Sequence, residues 1–438
     1  MPILVISIGI LCLFVLIMLF RLNAFLSFIL VAMGVGIAQG MELSSIVGSI
    51  EKGMGDTLGF LIMILGLGAM LGKLVAESGA AQRITSSLIS LFGLKNTQWA
   101  VMLTGFIVGI TLFYSVGFVI LVPLVFSVAA STRLPLISVA LPMLAALSVT
   151  HGYLPPHPAP TAIAGMFDAD MGKTLMYGIV VAVPAIVISG YFILPVIKKV
   201  DAQPLKEFTV SQTFPEDQLP SIGTSLLIAL LPVILIGLAT ILNEFLFPEG
   251  AYFQIISFIG NPVMALLLAV LAGIWLLGLR RGKTIDTLMS EMASSVTGIT
   301  MILLIIAGAG GLKQILIDSG ISAYIGEILK GTTGSPLILG WIIATLLRVS
   351  IGSATVAGLT TAGIIFPIIQ NTGVSPELMV LAIGAGSIML SHVNDSGFWL
   401  FKEYFNLSVK DTLATWTVME TSIGVVGLIG VLILNQFV

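Results

Sequence analysis

The stretch "HGYLPPHPAP" at residues 151–160 decides how this chain folds, because it interrupts an apolar run with two histidines and four prolines. Proline lacks an amide donor and disrupts the interior of a helix. Apolar sequence lies before the break and resumes after it with "TAIAGMF" at residues 161–167. The chain therefore places two of its three histidines, His151 and His157, where a helix breaks within hydrophobic sequence.

The composition is that of a membrane protein. Of 438 residues, 57% are hydrophobic and only 9% are charged, whereas a typical soluble domain has about 25% charged residues. Residues 96–132 and 250–279 contain no Asp, Glu, Lys or Arg, and each run exceeds the roughly 20 residues that a helix needs to cross the bilayer core. We therefore predict an all-α polytopic protein in contact with membrane lipid. The net charge of −3 argues against a nucleic-acid partner.

The chain divides into two similar halves. A polar, charged segment at 198–221 separates residues 1–197 from residues 222–438, and we predict two transmembrane repeats joined by a linker. The word "ESG" at 77–79 recurs as "DSG" at 318–320, Pro135 as Pro376, and His151 as His392, each pair separated by 241 positions. This shared offset indicates an internal repeat. Coincidence between two apolar compositions stays open as the alternative.

Two polar, glycine-rich interruptions set the predicted topology. The words "FYSVG" at 113–117 and "RVSIGSATVAG" at 348–358 each predict a re-entrant hairpin. Each half then has about five transmembrane helices plus one hairpin, and an odd number of crossings inverts the second repeat. Most loop Lys and Arg residues fall on the linker's side, and only Lys52, Lys173 and Lys330 fall on the other. The positive-inside rule therefore predicts a cytoplasmic linker and both termini periplasmic or extracellular.

A second break, "SHVNDSGFW" at 391–399, corresponds to the first. It gathers His392, Asn394, Asp395 and Ser396, which are residue types that favour turns or caps over helix. Two broken helices, each with a histidine at the break, predict one site at the repeat interface. Two alternatives stay open: a surface loop for His151 and His157, and a helix-capping role for Asp395.

The hairpin tips are candidates for holding an anion. The words "YSVG" at 114–117 and "SIGSAT" at 350–355 place hydroxyls beside glycines, and helices beginning there would direct their amide groups at a negative charge. Arg348 could pair with a carboxylate. The alternatives are small-residue helix packing at the tips and an interfacial anchor role for Arg348.

Other chemistry lacks its sequence motifs. There is no HExxH, no P-loop, no G-x-S-x-G word and no cysteine besides Cys12, so we predict neither an enzyme nor an ATP-driven pump, and no metal site. An intramembrane metalloenzyme that uses His151, His157 and Asp395 stays open as an alternative.

Several long words carry a family resemblance. "LSVTHGYLPPHPAPTAIA", "GSATVAG", "TGVSPELMV" and "SHVNDSGFWLFKEYFNLS" resemble the gluconate permease family of proton-coupled symporters, and the similarity extends over essentially the whole chain. The resemblance implies uptake of a sugar acid such as gluconate with protons through a bacterial inner membrane. It also implies the inverted-repeat fold of the ion-transporter superfamily, no cofactor besides the co-transported proton, and a homodimer.

This resemblance and the two breaks together give the expected site. The expected substrate-binding residues are Tyr114, Ser115, His157, Ser350, Gly352, Ser353, Thr355, Asn394 and Ser396. The expected proton-coupling residues are Asp395, His151 and His392.

The chain departs from the family pattern at three positions. Ser115 replaces the acidic residue of the family's "FYEVGF" word, Ala159 replaces a glycine, and Ser396 replaces a proline. If that acidic residue carries the proton in relatives, Asp395 or a histidine must serve here, or coupling is lost. An uncoupled facilitator of a sugar acid or of D-serine therefore stays open.

Overall fold

A computed structural model describes residues 2–197, 200, 202, 214–246, 249–297, 299–321, 324, 335–393 and 395–438. Within these ranges the chain forms helices joined by short turns, and no strand occurs. The prediction of an all-α protein is therefore confirmed. Much of the segment 198–221 lies outside the described residues, and so does Asn394.

Nine helices of the first half precede this segment. They are α1 (Pro2–Phe14), α2 (Ala24–Ala38), α3 (Leu43–Glu77), α4 (Ala80–Phe92), α5 (Thr97–Gly109), α6 (Tyr114–Thr132), α7 (Leu136–Tyr153), α8 (Pro158–Phe167) and α9 (Met171–Phe192). The described helices of the second half are α10 (Ile222–Phe245), α11 (Ala251–Gly260), α12 (Pro262–Arg281), α13 (Ile285–Thr297), α14 (Thr300–Asp318), α15 (Pro336–Ile351), α16 (Ala354–Thr372), α17 (Pro376–Ser387), α18 (Ser396–Tyr404) and α19 (Val409–Leu434).

Several helices are long and apolar enough to cross a membrane. Five spans in the described ranges meet this condition, and α3 adds a sixth if its two parts, bent by 42°, count as one. The five are Leu136–Phe167, which combines α7 and α8, Met171–Phe192, Ile222–Asn243, Pro262–Arg281 and Val409–Leu434. Other apolar helices have only 10–17 residues. Five crossings in each repeat, and the inversion of the second repeat, therefore stay predictions.

Helices end within the hydrophobic sequence at four places. α5 ends at Gly109 and α6 begins at Tyr114, while α15 ends at Ile351 and α16 begins at Ala354. Gly352 separates α15 from α16 with a φ of +80°, a left-handed conformation that glycine adopts without a steric penalty. The Ser353 side chain then accepts a hydrogen bond from the Val356 amide and caps α16.

The other two breaks contain the histidine words. α7 ends at Tyr153, and α8 begins at Pro158 after the turn formed by residues 154–157. Two prolines occupy the first turn of α8, where the missing amide hydrogens would have no helical partner. In the second half, α17 ends at Ser387, and Asp395 caps α18 by accepting the Gly397 amide.

The centre of the fold is built around α7. Most of its side chains are buried, and it packs against α5, α6, α9 and α17. At the crossing of α7 and α17, a Cβ atom added to Gly384 would collide with the Gly152 carbonyl oxygen. The absence of a side chain at Gly384 therefore allows the two backbones to touch. α3 and α14 pack closely against each other and contact α8.

The described end of the predicted linker is attached to the helices. Gln82 on α4 exchanges two hydrogen bonds of 3.0 Å with the Phe214 backbone. Arg83 donates from Nε to the Pro220 carbonyl at 2.8 Å and from Nη2 to the Glu216 carbonyl at 3.1 Å. Residues 214–220 therefore pack against α4.

Candidate functional site

A cavity of about 210 Å³ lies where the four helix breaks converge. It is lined by Phe113, Tyr114, Ser148, His151, Pro158, Arg348, Gly352, Ser353, Ala354, Thr355, Ile388, Asp395, Gly397, Trp416 and Glu420. These residues belong to the starts of α6, α8, α16 and α18, the ends of α7, α15 and α17, and one face of α19. The two predicted hairpin tips and the two histidine-containing breaks therefore meet at one place.

An ion pair dominates the wall contributed by the second half. Arg348 donates from Nη2 to Asp395 Oδ2 and from Nη1 to the Gly352 carbonyl. The two charged side chains are buried, with Arg348 4% and Asp395 8% exposed. Arg348 therefore joins the end of α15 to the turn before α18, because it holds groups on both sides.

Further donors surround the Asp395 carboxylate. Ser391 donates from its hydroxyl to Oδ2, and the Gly397 amide donates to Oδ1 at 2.9 Å. Trp416 on α19 donates from Nε1 to the Ser391 hydroxyl at 2.8 Å. This second contact fixes Ser391, so Asp395 is held by groups from α15, α18 and α19.

The wall contributed by the first half has no formal charge among its described lining residues. Its polar groups are the Tyr114 hydroxyl, the Ser148 hydroxyl and the His151 ring. The rings of Tyr114 and His151 lie 6.1 Å apart, and Tyr114 lies 5.9 Å from Trp416. The Tyr114 hydroxyl and His151 Nδ1 are buried and have no hydrogen-bond partner in the described part of the chain. Both atoms can therefore serve a bound ligand.

The other two histidines are placed differently. His157 is 2% exposed, its ring lies 5.3 Å from that of His151, and its Nε2 lies 2.6 Å from the Gly109 carbonyl oxygen. His392 Nε2 lies 3.0 Å from the Val349 carbonyl oxygen. Neither residue belongs to the cavity lining. His157 lies next to His151 but outside the cavity lining, and His392 contacts the last turn of α15.

The remaining predicted residues concentrate at the helix starts. Gly352, Ser353 and Thr355 line the cavity, together with Tyr114, His151 and Asp395. Ser115, Ser350 and Ser396 lie in the first or last turn of α6, α15 and α18, but their side chains lie outside the described part of the structure. Asn394 is not described at all. The assigned roles of these residues stay predictions.

Three lining residues with polar side chains were not predicted. Ser148 lies one turn before His151 on α7, and Trp416 and Glu420 lie one turn apart on α19. Ser148 donates its hydroxyl to Glu420 Oε1, and Glu420 is only 2% exposed. One signal could have identified Glu420: it is an isolated carboxylate within the apolar sequence of α19, and carboxylates within membrane helices usually have a function.

The geometry suits a small anionic, hydroxyl-bearing molecule. Amides at the start of a helix have no intrahelical partner, and Ser353, Ala354 and Thr355 present the start of α16 to the cavity. Arg348 supplies a positive charge, and its buried Nε has no partner among the described residues. The tyrosine, serine and histidine groups can bind hydroxyls. Among the described residues, no cluster of three His, Cys, Asp or Glu side chains could hold a metal ion.

Comparison with known proteins shows which family this chain belongs to. The model of the GntP family permeases matches residues 1–438. The chain is 50% identical to a high-affinity gluconate transporter of Escherichia coli (strain K12) over 440 residues, with 100% of both chains covered. It is 48% identical to the L-idonate transporter of the Gnt-II system of the same strain, with 99% of both chains covered.

A solved structure also shares the fold. The YdaH transporter of Alcanivorax borkumensis matches 94% of this chain and 97% of its own, with a TM-score of 0.67 and 15% sequence identity. At this identity the likeness concerns the fold alone. The family match and the full-length relatives together show that the chain belongs to the GntP family of permeases and is a multi-pass membrane transporter, not an enzyme.

Proposed function

We propose that the protein is a secondary transporter that imports gluconate or a related sugar acid together with protons across the bacterial inner membrane. The observation that carries this proposal is the cavity, because it combines Arg348 and the start of α16 with uncharged hydrogen-bonding groups on the opposite wall. Full-length relatives transport gluconate and L-idonate, two sugar acids. Both carry a carboxylate and several hydroxyls, so one cavity chemistry suits them.

The substrate binds with its carboxylate toward the second-half wall. Helix-terminal amides stabilise an anion, and Arg348 Nε is a further donor without a protein partner among the described residues. The sugar hydroxyls face Tyr114 and His151 across the cavity. This orientation places each end of the substrate against complementary groups.

The repeats give the expected architecture for this mechanism. Residues 1–197 and 222–438 form two inverted repeats, the segment 198–221 links them on the cytoplasmic side, and both termini lie on the periplasmic side. The helix breaks of the two halves support this arrangement, because each half has one break at a predicted hairpin tip and one at a histidine word. The protein works as a homodimer in which each protomer has its own cavity.

Transport in liposomes tests the function. The purified protein is reconstituted, and uptake of labelled gluconate is measured with an inward proton gradient, with and without an ionophore that collapses the gradient. We expect gluconate to accumulate above equilibrium, and we expect the ionophore to abolish the accumulation. Unlabelled L-idonate should compete, because it presents the same carboxylate.

Two results would contradict parts of this proposal. Uptake that only equilibrates, with or without the ionophore, would show an uncoupled facilitator and reject proton symport. A folded protein that transports neither gluconate nor L-idonate would reject the assignment to sugar acids, and labelled D-serine would then be tested.

A further inference from the structure

Two carboxyl groups line the cavity, and their surroundings differ. Asp395 accepts hydrogen bonds from the Arg348 guanidinium, the Ser391 hydroxyl and the Gly397 amide. An arginine and a backbone amide only donate, so two of these partners require Asp395 to be an acceptor. A proton on Asp395 would compete with the guanidinium that neutralises it.

The third partner of Asp395, the Ser391 hydroxyl, is also held as a donor. The indole of Trp416 can only donate, and it donates to the Ser391 oxygen at 2.8 Å. The single hydrogen of the Ser391 hydroxyl is therefore free to point to Asp395. All donors around Asp395 are arranged for a carboxylate, so the group suits a permanent structural charge.

Glu420 has a different environment. It is 2% exposed, and the Ser148 hydroxyl is its hydrogen-bond partner. No salt bridge within the described ranges of the chain reaches Glu420, whereas Asp395 pairs with Arg348. Glu420 is therefore a buried carboxyl that faces the cavity and forms no ion pair with a Lys or Arg of the described residues.

The serine partner allows Glu420 to exist in two states. A hydroxyl can both donate and accept, so Ser148 can donate to a carboxylate or accept from a carboxylic acid. In the second case its own hydrogen can turn to the carbonyl one helical turn earlier, as serines in helices do. Adding or removing a proton at Glu420 therefore leaves no broken hydrogen bond in the protein.

Charge balance gives Glu420 a further reason to bind a proton. Arg348 and Asp395 cancel each other, and Glu420 as a carboxylate leaves the cavity with one negative charge. A bound sugar-acid anion adds a second negative charge, and a proton on Glu420 removes one. The loaded cavity then carries the same formal charge as the empty one, which limits the cost of moving charge through an apolar barrier.

The other charged and titratable groups near Glu420 come from four elements. They are Tyr114 of α6, His151 and Tyr153 of α7, Arg348 of α15, and Asp395 before α18. The Tyr153 hydroxyl donates to the Ile423 carbonyl at 2.6 Å, and Arg348 is bound to Asp395. Among these groups, Glu420 combines a carboxyl, access to the cavity and a partner that tolerates both protonation states.

We infer that Glu420 binds the co-transported proton from the outer solution when the sugar acid binds, and releases it to the cytoplasm when the sugar acid leaves. Ser148 acts as its positioning residue. This inference rests on the proposed proton-coupled uptake of a sugar acid. It assigns the proton to Glu420 in place of Asp395, His151 and His392, which we expected from the sequence.

The test separates exchange from coupled uptake. In liposomes, Glu420→Gln replaces the carboxyl with a neutral group of the same shape, which imitates the protonated state. We expect Glu420→Gln to exchange internal unlabelled gluconate for external labelled gluconate, but to lose accumulation driven by a proton gradient. We also expect it to lose the gluconate-dependent proton entry that a trapped pH dye reports in the wild-type protein.

A matched control uses another glutamate. Glu403 on α18 has a 55% exposed side chain and pairs with Lys402 at the surface. Glu403→Gln removes the same negative charge outside the cavity, and it should keep wild-type coupling. Ser148→Ala removes the partner of Glu420 and not the carboxyl itself, so we expect it to shift the pH profile of coupled uptake.

The outcomes separate this inference from the proposed function. A wild-type protein that never accumulates gluconate would contradict proton symport itself. If the wild-type protein is coupled and the Glu420→Gln variant is equally coupled, the assignment of the proton to Glu420 is rejected, but proton symport is not. A folded Glu420→Gln variant that binds no gluconate and exchanges none would also reject it, because Glu420 would then belong to the substrate contacts.

A measurement on the wild-type protein removes dependence on folding of the variant. Dicyclohexylcarbodiimide reacts with protonated carboxyl groups in apolar surroundings, and peptide mass spectrometry locates the adduct. We expect labelling at Glu420 and slower labelling at higher pH. Labelling at Asp395, or no adduct at Glu420, would overturn the inference.

Discussion

The two walls of the cavity have similar helix breaks but different chemistry. The first-half wall presents Tyr114, Ser148 and His151, none of which is a carboxylate, a lysine or an arginine. The second-half wall presents Arg348 and Asp395, and Glu420 follows on α19 of the same half. All formal charges of the described lining therefore come from one half.

This difference shows what the helix breaks supply and what they do not. In each half, breaks in the helices bring polar groups to the cavity, and in a membrane such breaks require buried or solvated partners. The side chains at these breaks are free to differ. One wall carries charged side chains, whereas the other carries uncharged hydrogen-bonding groups.

The largest expected effect comes from breaking the charged wall. Arg348→Gln leaves Asp395 buried without its cation, and the loss of one partner from a buried pair costs about 3–5 kcal/mol. We expect a strongly lowered melting temperature in detergent and no measurable gluconate uptake. A variant that keeps wild-type stability and uptake would contradict the central role of the ion pair.

The double variant Arg348→Gln with Asp395→Asn sharpens this result. It removes both charges together, so no unpaired charge remains, and we expect most of the lost stability to return. Uptake should stay absent, because the positive charge opposite the substrate carboxylate is still missing. Recovered uptake would show that Arg348 acts only through Asp395.

A smaller effect is expected at the uncharged wall. Tyr114→Phe removes a hydroxyl that has no protein partner among the described residues, so stability should not fall. If this hydroxyl binds the sugar acid, its loss leaves a ligand hydroxyl unpaired at a cost of about 1–3 kcal/mol. We expect a raised KM for gluconate with an unchanged melting temperature.

The matched control for this variant is Tyr153→Phe. The Tyr153 hydroxyl donates to the Ile423 carbonyl at 2.6 Å and does not line the cavity. This variant should lower the melting temperature and leave KM unchanged. If Tyr153→Phe raised KM as much as Tyr114→Phe, the KM effect at Tyr114 could not be attributed to its position on the cavity wall.

The smallest effect concerns the two predicted hairpin tips. Ser353 caps α16 with its side chain, whereas Phe113 before α6 makes no side-chain cap. Ser353→Ala therefore makes the second tip resemble the first, and loss of a serine cap costs about 1 kcal/mol. Thermal unfolding should show a modest loss of stability. No change would indicate that the start of α16 is held by its packing alone.

The sequence predicted the breaks, because prolines and turn-forming residues are conspicuous in apolar sequence. It also predicted that His151, Ser353 and Asp395 belong to one site, and the structure places these three on the cavity lining. The separation of His151 from His157 was not predictable. Both occur in one word, but His151 lies on α7 and lines the cavity, whereas His157 lies at the end of the following turn and does not.

Glu420 was missed for a different physical reason. It lies inside the continuous α19, so no proline, glycine or turn residue marks its position. Its partner Ser148 is 272 positions away, and only tertiary packing brings them together. The number of crossings was equally difficult, since several apolar helices of 10–17 residues are shorter than the roughly 20 residues of a simple span.

The contact of Gly152 with Gly384 limits how the transporter can open. The two backbones touch where α7 crosses α17, one residue beyond the cavity residue His151. Separating the two halves at this point would pull apart two helix backbones that are in direct contact, and close-packed interiors resist such deformation. The crossing of α7 and α17 is therefore a rigid contact and not a hinge. We expect the bound sugar acid to travel with both walls as one rigid carrier, which slides past α3 and α14.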